Sequence, residues 1–362
     1  MKLYIKLLLS LVLTSTFLAC TQNFVEPLNN GLSTSPIRAT PLTLPAAGQY
    51  YHGVMPYSTS GNEDDFTAQD IESYEDTVGH QAAWIVFSNN WYAGRQFPAS
   101  SVNIIRDAGA TPYIRLMLRS DTDEATPETF FTLDAILRGD FDDDLDAWAR
   151  KAASYEIPLI VEWGTEMNGQ WFSWNGVHNG GAGVGPQKFI DAYRHIIRRM
   201  DNRGATNISW VFHVNYAEEP FDDWNKFENY YPGDGYIDLL GVSIYTLYTP
   251  QDNEYTDFRP SMDETITRFN AMAPQKPVIL SEFGATTNST FGDAAVWADA
   301  ALADIMADRW PSLVGFSWWN ERWPNDDNPA HDTNLLVQSD PDLAAVFNTR
   351  LNTPKVIKRP LD

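Results

Sequence analysis

Short apolar segments recur from residue 49 onward, and each has the length and composition of a buried β-strand. We predict eight strands, at Tyr50–Tyr57, Ala82–Ser88, Thr111–Leu118, Pro158–Glu166, Ile208–Asn215, Ile237–Tyr245, Pro277–Gly284 and Leu313–Asn320. Segments with apolar residues at helical spacing lie between most of them, and they predict helices at Ala99–Ala108, Leu145–Tyr155, Gln187–Asn202, Met262–Met272, Asp293–Trp310 and Pro341–Leu351. Strands that alternate with helices indicate an α/β fold with a parallel sheet.

Eight such strands predict one (β/α)8 barrel over residues 49–355. A doubly wound open sheet gives a similar alternation, but no glycine-rich phosphate loop follows any of the predicted strands. In a (β/α)8 barrel the active site lies at the carboxyl ends of the strands, so we expect the chemistry there.

The first 48 residues do not follow this alternation. Lys2 and Lys6 precede an apolar run from residue 7 to residue 19, which is typical of a secretory signal peptide. The run is too short to cross a hydrocarbon core of about 30 Å as a helix. We therefore predict a signal peptide over residues 1–19 and an exported protein.

Cys20 follows this segment directly and is the only cysteine of the chain. The stretch Phe17-Leu18-Ala19-Cys20 resembles a bacterial lipobox, although Phe17 stands where Leu is usual. This predicts lipidation of Cys20 and a cell-envelope lipoprotein, on the outer membrane or cell surface. The alternative is an ordinary signal peptide, a secreted protein and an incidental cysteine. Residues 20–48 are rich in polar residues and proline, and we interpret them as a tether.

Composition narrows the function further. The 362 residues contain 25 Lys and Arg against 48 Asp and Glu, a formal net charge of −23. Such a chain repels nucleic acids and anionic lipid headgroups, which leaves uncharged ligands. One cysteine excludes an internal disulfide and a thiolate zinc site. The six histidines form no metal-binding spacing, so we predict no cofactor and no metal.

Two glutamates end two of the predicted strands. Glu166 closes the fourth strand and Glu282 lies at the end of the seventh, each after a strongly apolar run. A carboxylate in such a place is costly unless it has partners or a task. Either glutamate alone would be consistent with a structural hydrogen-bond acceptor. Strands four and seven lie on opposing sides of an eight-stranded ring, however, so the two side chains can face each other across the central pocket.

Two facing carboxylates are what hydrolysis of a glycosidic bond requires. Separated by about 5–5.5 Å, one attacks the anomeric carbon while the other protonates the leaving oxygen. Tryptophans, whose flat faces suit sugar rings, follow the same strand ends at Trp171, Trp174, Trp318, Trp319 and Trp323. These patterns predict a glycosidase.

The segment Glu166-Met167-Asn168-Gly169-Gln170-Trp171-Phe172 resembles the strand-four signature of glycoside hydrolase family 26, which contains β-mannanases and β-1,3-1,4-glucanases. Ser281-Glu282-Phe283-Gly284 is similar to the nucleophile strand of that family, and Tyr230–Tyr245 is similar to its approach to strand six. The resemblance spans about residues 50–350 and implies a retaining endo-β-glycosidase.

Carried over position by position, the resemblance makes Glu166 the general acid/base and Glu282 the nucleophile. It implies that Tyr245 hydrogen-bonds Glu282 and that Asn168 and Trp171 shape the pocket. The substrate-binding set that we predict is completed by Trp318 as the floor under the sugar, Trp174, and Arg115 as a support behind the site or a structural ion pair. One departure is Thr165, since the mannanases of the family usually carry His there.

We expect β-1,4-mannan as the substrate, with mixed-linkage β-glucan or xylan as the alternatives. A non-catalytic glycan-binding surface protein is the alternative from another class. It is disfavoured because both glutamates are present. We further expect a monomer that contacts a membrane only through an N-terminal lipid and binds no nucleic acid.

Overall fold

Eight parallel β-strands, buried along almost their whole length, form a closed ring. The computed structural model describes residues 41–58, 63–122 and 128–358. The strands of the ring are β1 (Tyr50–Met55), β2 (Trp84–Asn90), β3 (Thr111–Met117), β4 (Leu159–Trp163), β5 (Ile208–Asn215), β6 (Leu239–Thr246), β7 (Val278–Ala285) and β8 (Leu313–Trp319). Each strand pairs with the next in chain order, and β8 pairs with β1. The predicted single (β/α)8 barrel is confirmed.

Helices pack around this ring. They are α1 (Ala68–Val78), α2 (Ala99–Asp107), α3 (Leu133–Arg138), α4 (Asp142–Ala153), α5 (Gly185–Asp201), α6 (Phe258–Met272), α7 (Ala294–Met306) and α8 (Pro341–Leu351). Their inward faces and the outward faces of the strands form one large apolar core. None of the helices in the described ranges is long and apolar enough to cross a membrane.

Helix α1 was not among the elements predicted from the sequence. It begins with a capping box, in which the Thr67 side chain accepts from the Asp70 amide and the Asp70 side chain accepts from the Thr67 amide. It ends at Gly79, which has a φ of 66°. Its buried stripe consists only of Ile71, Tyr74 and Val78, so the apolar periodicity of this segment is weak. The residues typical of helix ends, a capping box and a C-terminal glycine, are both present.

Three two-residue strands complete the sheet structure. Strand β9 (Arg322–Trp323) pairs antiparallel with β10 (Thr333–Asn334) beyond the end of β8. Strand β11 (Val356–Ile357) pairs with the start of β1, at Tyr50 and Tyr51. The β9–β10 pair therefore lies at the end of the barrel where the active site is expected. The predicted signal peptide, Cys20 and most of the tether lie outside the described residues.

Candidate active site

A cavity of approximately 680 Å³ opens at the carboxyl ends of the strands. This is the size and position expected of a binding site in this fold. Its lining is formed by Glu63, Arg115, Thr122, Glu166, Trp171, Phe172, Asn215, Tyr245, Tyr248, Glu282, Trp319, Glu321, Arg322 and Trp323. The structure therefore brings Glu166 and Glu282 into one cavity, together with Arg115, Trp171 and Tyr245.

Glu166 reaches the cavity through a turn that follows β4. The strand ends at Trp163 and not at Glu166, because Gly164 and Glu166 adopt left-handed backbone conformations with φ of 67° and 49°. A glutamate rarely adopts this conformation, and such residues are concentrated at functional sites. The Glu166 amide donates to the carbonyl of His213 at 2.9 Å, and Trp171 Nε1 donates to Glu166 Oε2 at 2.7 Å. The backbone of Glu166 is thus held by β5, and its carboxylate is held by Trp171.

Glu282 lies within β7 and is almost fully buried. Tyr245 Oη donates to its Oε2 at 2.8 Å, and Arg115 Nε lies 3.5 Å from its Oε1. Burial raises the pKa of Glu282 to about 7; Arg115 and His213 act to lower it, while Glu166 and Glu162 act to raise it. The charge of this carboxylate therefore depends on its cationic neighbours.

A second buried carboxylate, Glu162, lies behind the cavity. Its Oε2 accepts from Tyr113 Oη and lies 2.9 Å from His213 Nδ1, while Arg115 Nε is 3.5 Å from its Oε1. Burial acts to raise the pKa of Glu162, but His213 and Arg115 outweigh it and hold the pKa below its usual range.

His213 is the basic partner of Glu162 in this buried pair. Burial acts to lower its pKa, but Glu162 reverses the direction and raises it. Its Nε2 lies 2.6 Å from Ser243 Oγ, and its Nδ1 is also 2.8 Å from Thr165 Oγ1. The His213 ring, whose protonated form Glu162 favours, therefore contacts Thr165, the residue beside Glu166.

Glu162, His213 and Glu282 also offer atoms within 4.8 Å of one another, a spacing that a metal ion could use. Both ring nitrogens of His213 have partners, and Arg115 Nε lies 3.5 Å from both carboxylates. The Arg115 guanidinium already supplies a positive charge beside both carboxylates. The cluster is an ion-pair network that supports Glu282.

Aromatic rings form much of the remaining wall. The guanidinium carbon of Arg115 lies 4.8 Å from the ring centre of Trp319. On the facing side Tyr248 packs against Trp323 and Tyr245, with ring centres 5.2 and 5.4 Å apart. Such flat, partly apolar surfaces suit the C–H faces of sugar rings.

Trp318 does not reach this cavity, contrary to the sequence prediction. It is fully buried, its Nε1 donates to the Leu335 carbonyl at 2.8 Å, and its ring packs against Phe283 and Phe347. Successive residues of a strand point to opposite faces, so Trp318 faces α8 while Trp319 faces the cavity. The position predicted for Trp318 is taken by Trp319.

Trp174 and Asn168 also lie behind the cavity wall. Trp174 Nε1 donates to the Thr165 carbonyl at 2.7 Å, and its ring stacks on Phe172. Asn168 is fully buried; its Nδ2 donates to the Asn215 carbonyl at 2.8 Å and its Oδ1 accepts from the Asn215 amide at 2.9 Å. Both residues fix the loop that carries Glu166 and do not line the cavity.

The sequence analysis missed several cavity or supporting residues, among them Glu63, Glu162, His213 and Glu321. Glu63 belongs to an acidic run, and its side chain accepts from Arg115 Nη1 at 3.0 Å. Glu162 and His213 lie inside the apolar runs of β4 and β5, and a charged residue there was the available signal.

Comparison with known proteins places this site in a family. The model of the family described as glycosyl hydrolase family 26 matches residues 133–299, a segment that contains both glutamates. Endoglucanase H of Acetivibrio thermocellus is 23% identical over 308 residues, which cover 84% of this chain and 31% of that protein. A mannan endo-1,4-beta-mannosidase of Bacillus subtilis is 24% identical and is aligned over 46% of this chain and 40% of its own length. The chain thus spans less than half the length of these two relatives.

Solved structures agree on the fold. An endo-beta-1,4-mannanase double mutant of Cellulomonas fimi superposes with a TM-score of 0.61 at 18% identity, over 86% of this chain and 73% of that one. A mannanase of Bacillus subtilis superposes with a TM-score of 0.58 at 19% identity, over 87% and 88% of the two chains.

Proposed function

Because the chain belongs to glycoside hydrolase family 26, we propose that it is a retaining endo-β-glycosidase that cleaves β-1,4-mannan. The observation that carries the proposal is the pair of glutamates in one cavity, one held by Trp171 and the other by Tyr245. The mannan endo-1,4-beta-mannosidases among the relatives support the choice of polysaccharide and of internal cleavage.

The proposed reaction has two steps. Glu282 attacks the anomeric carbon while Glu166 donates its proton to the glycosidic oxygen, so the glycosidic bond breaks and a glycosyl ester with Glu282 forms. Glu166 then takes a proton from water, which attacks the same carbon and releases Glu282. Arg115 and Tyr245 stabilise the ionised Glu282 before the first step and after the second.

Substitution tests the two roles. We expect Glu282→Ala and Glu166→Ala each to lower kcat on polysaccharide by at least about 1000-fold. Reducing-sugar release from mannan measures the loss, and Glu72→Gln on the exposed side of α1 serves as the control. A variant of either glutamate that keeps most of its activity would contradict the mechanism.

An aryl β-glycoside with a dinitrophenolate leaving group separates the two glutamates. This leaving group needs no proton, so Glu166→Ala should still form the glycosyl ester, and added azide should release a β-glycosyl azide. In Glu282→Ala azide attacks the anomeric carbon directly and should give the α-glycosyl azide. The opposite pairing of products would exchange the two roles. The anomer first released by the wild type, followed by proton NMR, tests retention.

A second substrate has its own support. The alignment with Endoglucanase H covers 84% of this chain, whereas the one with the Bacillus subtilis mannosidase covers 46%. Thr165 also stands where mannanases of the family usually carry His. We therefore propose mixed-linkage β-glucan as the second candidate. Rates and product sizes on mannan, galactomannan, mixed-linkage glucan and xylan distinguish the candidates, and binding without hydrolysis of any of them would favour a glycan-binding protein.

We also propose that the protein is exported and anchored through a lipid on Cys20. The support is the basic start, the apolar run and the position of the only cysteine. In a bacterial host, Cys20→Ser should abolish incorporation of labelled fatty acid and move the protein from the membrane to the soluble fraction. Unchanged membrane association of the variant would overturn the anchor.

A further inference from the structure

Glu321 is a buried carboxyl group that faces the cavity without taking part in the proposed reaction. It follows β8 by two residues and is 4% exposed. The Arg322 amide donates a weak hydrogen bond to its Oε2 at 3.2 Å and the Ser58 amide also acts on the carboxyl group, while Oε1 has no hydrogen-bond partner among the described residues. The Glu321 carbonyl accepts from the Leu335 amide at 2.9 Å, which fixes the segment. Burying a carboxyl oxygen without a partner is costly, so a missing partner is expected.

The charges around Glu321 are mostly of its own sign. Glu63 faces it from the loop after β1, and Asp70 from α1. The Arg322 side chain is paired with Asp332 at 3.2 Å. Arg115, the other arginine of the cavity lining, is shared between Glu63, Glu162 and Glu282.

This environment favours the protonated form. Burial raises the pKa of Glu321 to about 8, Glu63 and Asp70 raise it as well, and the backbone amides of Arg322 and Ser58 act against them. At neutral pH the group is therefore a carboxylic acid with a hydrogen to donate and an oxygen to accept.

The position of Glu321 in the ring of strands indicates on which side of the cleaved glycosidic bond it lies. Glu166 follows β4, and the leaving group must depart past the acid that protonates it. Strand β8 lies four places from β4 in the ring, next to β1, whose following loop carries Glu63. Glu321 therefore faces the sugar that is transferred to Glu282, the glycone, and not the leaving group.

We propose that Glu321 selects the glycone sugar by pairing with one of its hydroxyl groups as a neutral carboxylic acid, donating through one oxygen and accepting through the other. This role rests on the proposed glycosidase function. A sugar in the cavity removes water from Glu321 and so disfavours its charged form further. Substrate binding and protonation of Glu321 are thus coupled, and ionisation weakens binding.

Two substitutions test this role on the wild-type background. Glu321→Gln keeps the shape, one donor and one acceptor but cannot ionise, whereas Glu321→Leu keeps the volume and removes both. The KM and kcat of each are measured between pH 6 and 10 on mannan and on mixed-linkage β-glucan, with Glu72→Gln as the control. Thermal unfolding is recorded for every variant.

For wild type we expect KM to rise with pH around 8. Glu321→Gln should keep KM within about threefold at pH 6.5 and lose the alkaline rise. Glu321→Leu should raise KM about 10- to 100-fold at every pH, as expected for a buried hydroxyl group without its partner.

An alkaline rise that persists in Glu321→Gln would overturn the role, and so would an unchanged KM in folded Glu321→Leu. If the leucine variant does not fold, the glutamine variant decides alone. A wild-type protein that hydrolyses neither polysaccharide would instead overturn the proposed function, and this inference with it.

Discussion

At the residue scale, the charge of Glu282 is set by groups that act in opposite directions. Burial and the neighbouring carboxylates favour the neutral acid, and they raise the pKa to about 7. Arg115 and His213 favour the carboxylate, and the Tyr245 hydroxyl donates to it. In the proposed reaction only the carboxylate form of Glu282 attacks carbon, so the acidic limb of the pH profile of kcat/KM should report this balance.

Removal of the Tyr245 hydroxyl should move that limb. In Tyr245→Phe the carboxylate loses a donor that stabilises its charge, so the pKa of Glu282 should rise further. We expect the acidic limb of kcat/KM to shift upward by about 0.5–1 pH unit, with a larger loss of activity at pH 6 than at pH 8.

Tyr231→Phe is the matched control for this measurement. It removes a hydrogen bond of the same length, 2.8 Å, from the Tyr231 hydroxyl to Asp234, and Tyr231 does not line the cavity. The acidic limb of kcat/KM for Tyr231→Phe should coincide with that of wild type. A downward shift in Tyr245→Phe, or equal shifts in both variants, would contradict this account.

The sequence predicted some of the cavity residues correctly and others not. Glu166, Glu282, Arg115, Trp171 and Tyr245 line the cavity as their positions at strand ends suggested. To choose between Trp318 and Trp319, one must know which residues of β8 point into the barrel. Two adjacent tryptophans do not provide this information by themselves. Small residues at Gly315 and Ser317 mark the inward face, because the Trp84 indole occupies the space beside them.

At the scale of elements, one tryptophan packs against the pair formed by the first and last strands of the ring. Trp84 of β2 donates through Nε1 to Ser317 Oγ at 2.7 Å. A Cβ atom at Gly53 of β1 would lie 2.0 Å from this indole, and one at Gly315 of β8 would lie 2.1 Å from it. Only glycine at both positions leaves room for the ring to pack against the paired strands β1 and β8.

An added methyl group should therefore destabilise the junction. We expect Gly315→Ala to lower the free energy of unfolding by about 2–3 kcal/mol, since fully buried Trp84 cannot move aside without disturbing its neighbours. Urea denaturation followed by tryptophan fluorescence measures the loss. In Gly183→Ala, where no atom lies within 4 Å of the added Cβ, the change should be near zero. Equal effects of the two substitutions would refute the packing argument.

Element boundaries were less predictable than element types. Apolar runs located all eight strands of the ring, because a parallel sheet buried on both faces produces such runs. The end of β4 was placed three residues too far along the chain. The left-handed turn at Gly164 and Glu166 is held by tertiary contacts, among them the bond from the Glu166 amide to the His213 carbonyl, and no local pattern encodes them.

At the scale of the whole molecule, the carboxyl groups in the cavity lower stability at alkaline pH. The pKa of Glu321 is about 8 in the folded protein and near its ordinary value of 4.5 in the unfolded chain. Between these values the folded state holds a proton that the unfolded state has released, so stability falls as pH rises. Glu282 acts in the same direction between 4.5 and about 7.

Glu321→Gln should remove the part of this loss of stability that Glu321 causes. Relative to wild type, we expect the variant to gain on the order of 2–4 kcal/mol in unfolding free energy between pH 5 and pH 9. Urea denaturation at both pH values gives the difference, and Glu72→Gln is the control. A difference between Glu321→Gln and wild type that does not change with pH would show that Glu321 ionises normally in the folded protein.

The pairing of β1 with β8 also brings together the two parts of one cavity wall. Glu63 belongs to the loop after β1, whereas Trp319 and Glu321 come from the end of β8. A chain that ended at β7 would contain Glu166 and Glu282 but would lack Trp319 and Glu321 of this wall. Under the proposed function, we therefore expect hydrolysis only from molecules in which β8 has paired with β1, so that the activity of a sample reports the fraction of molecules with a closed ring.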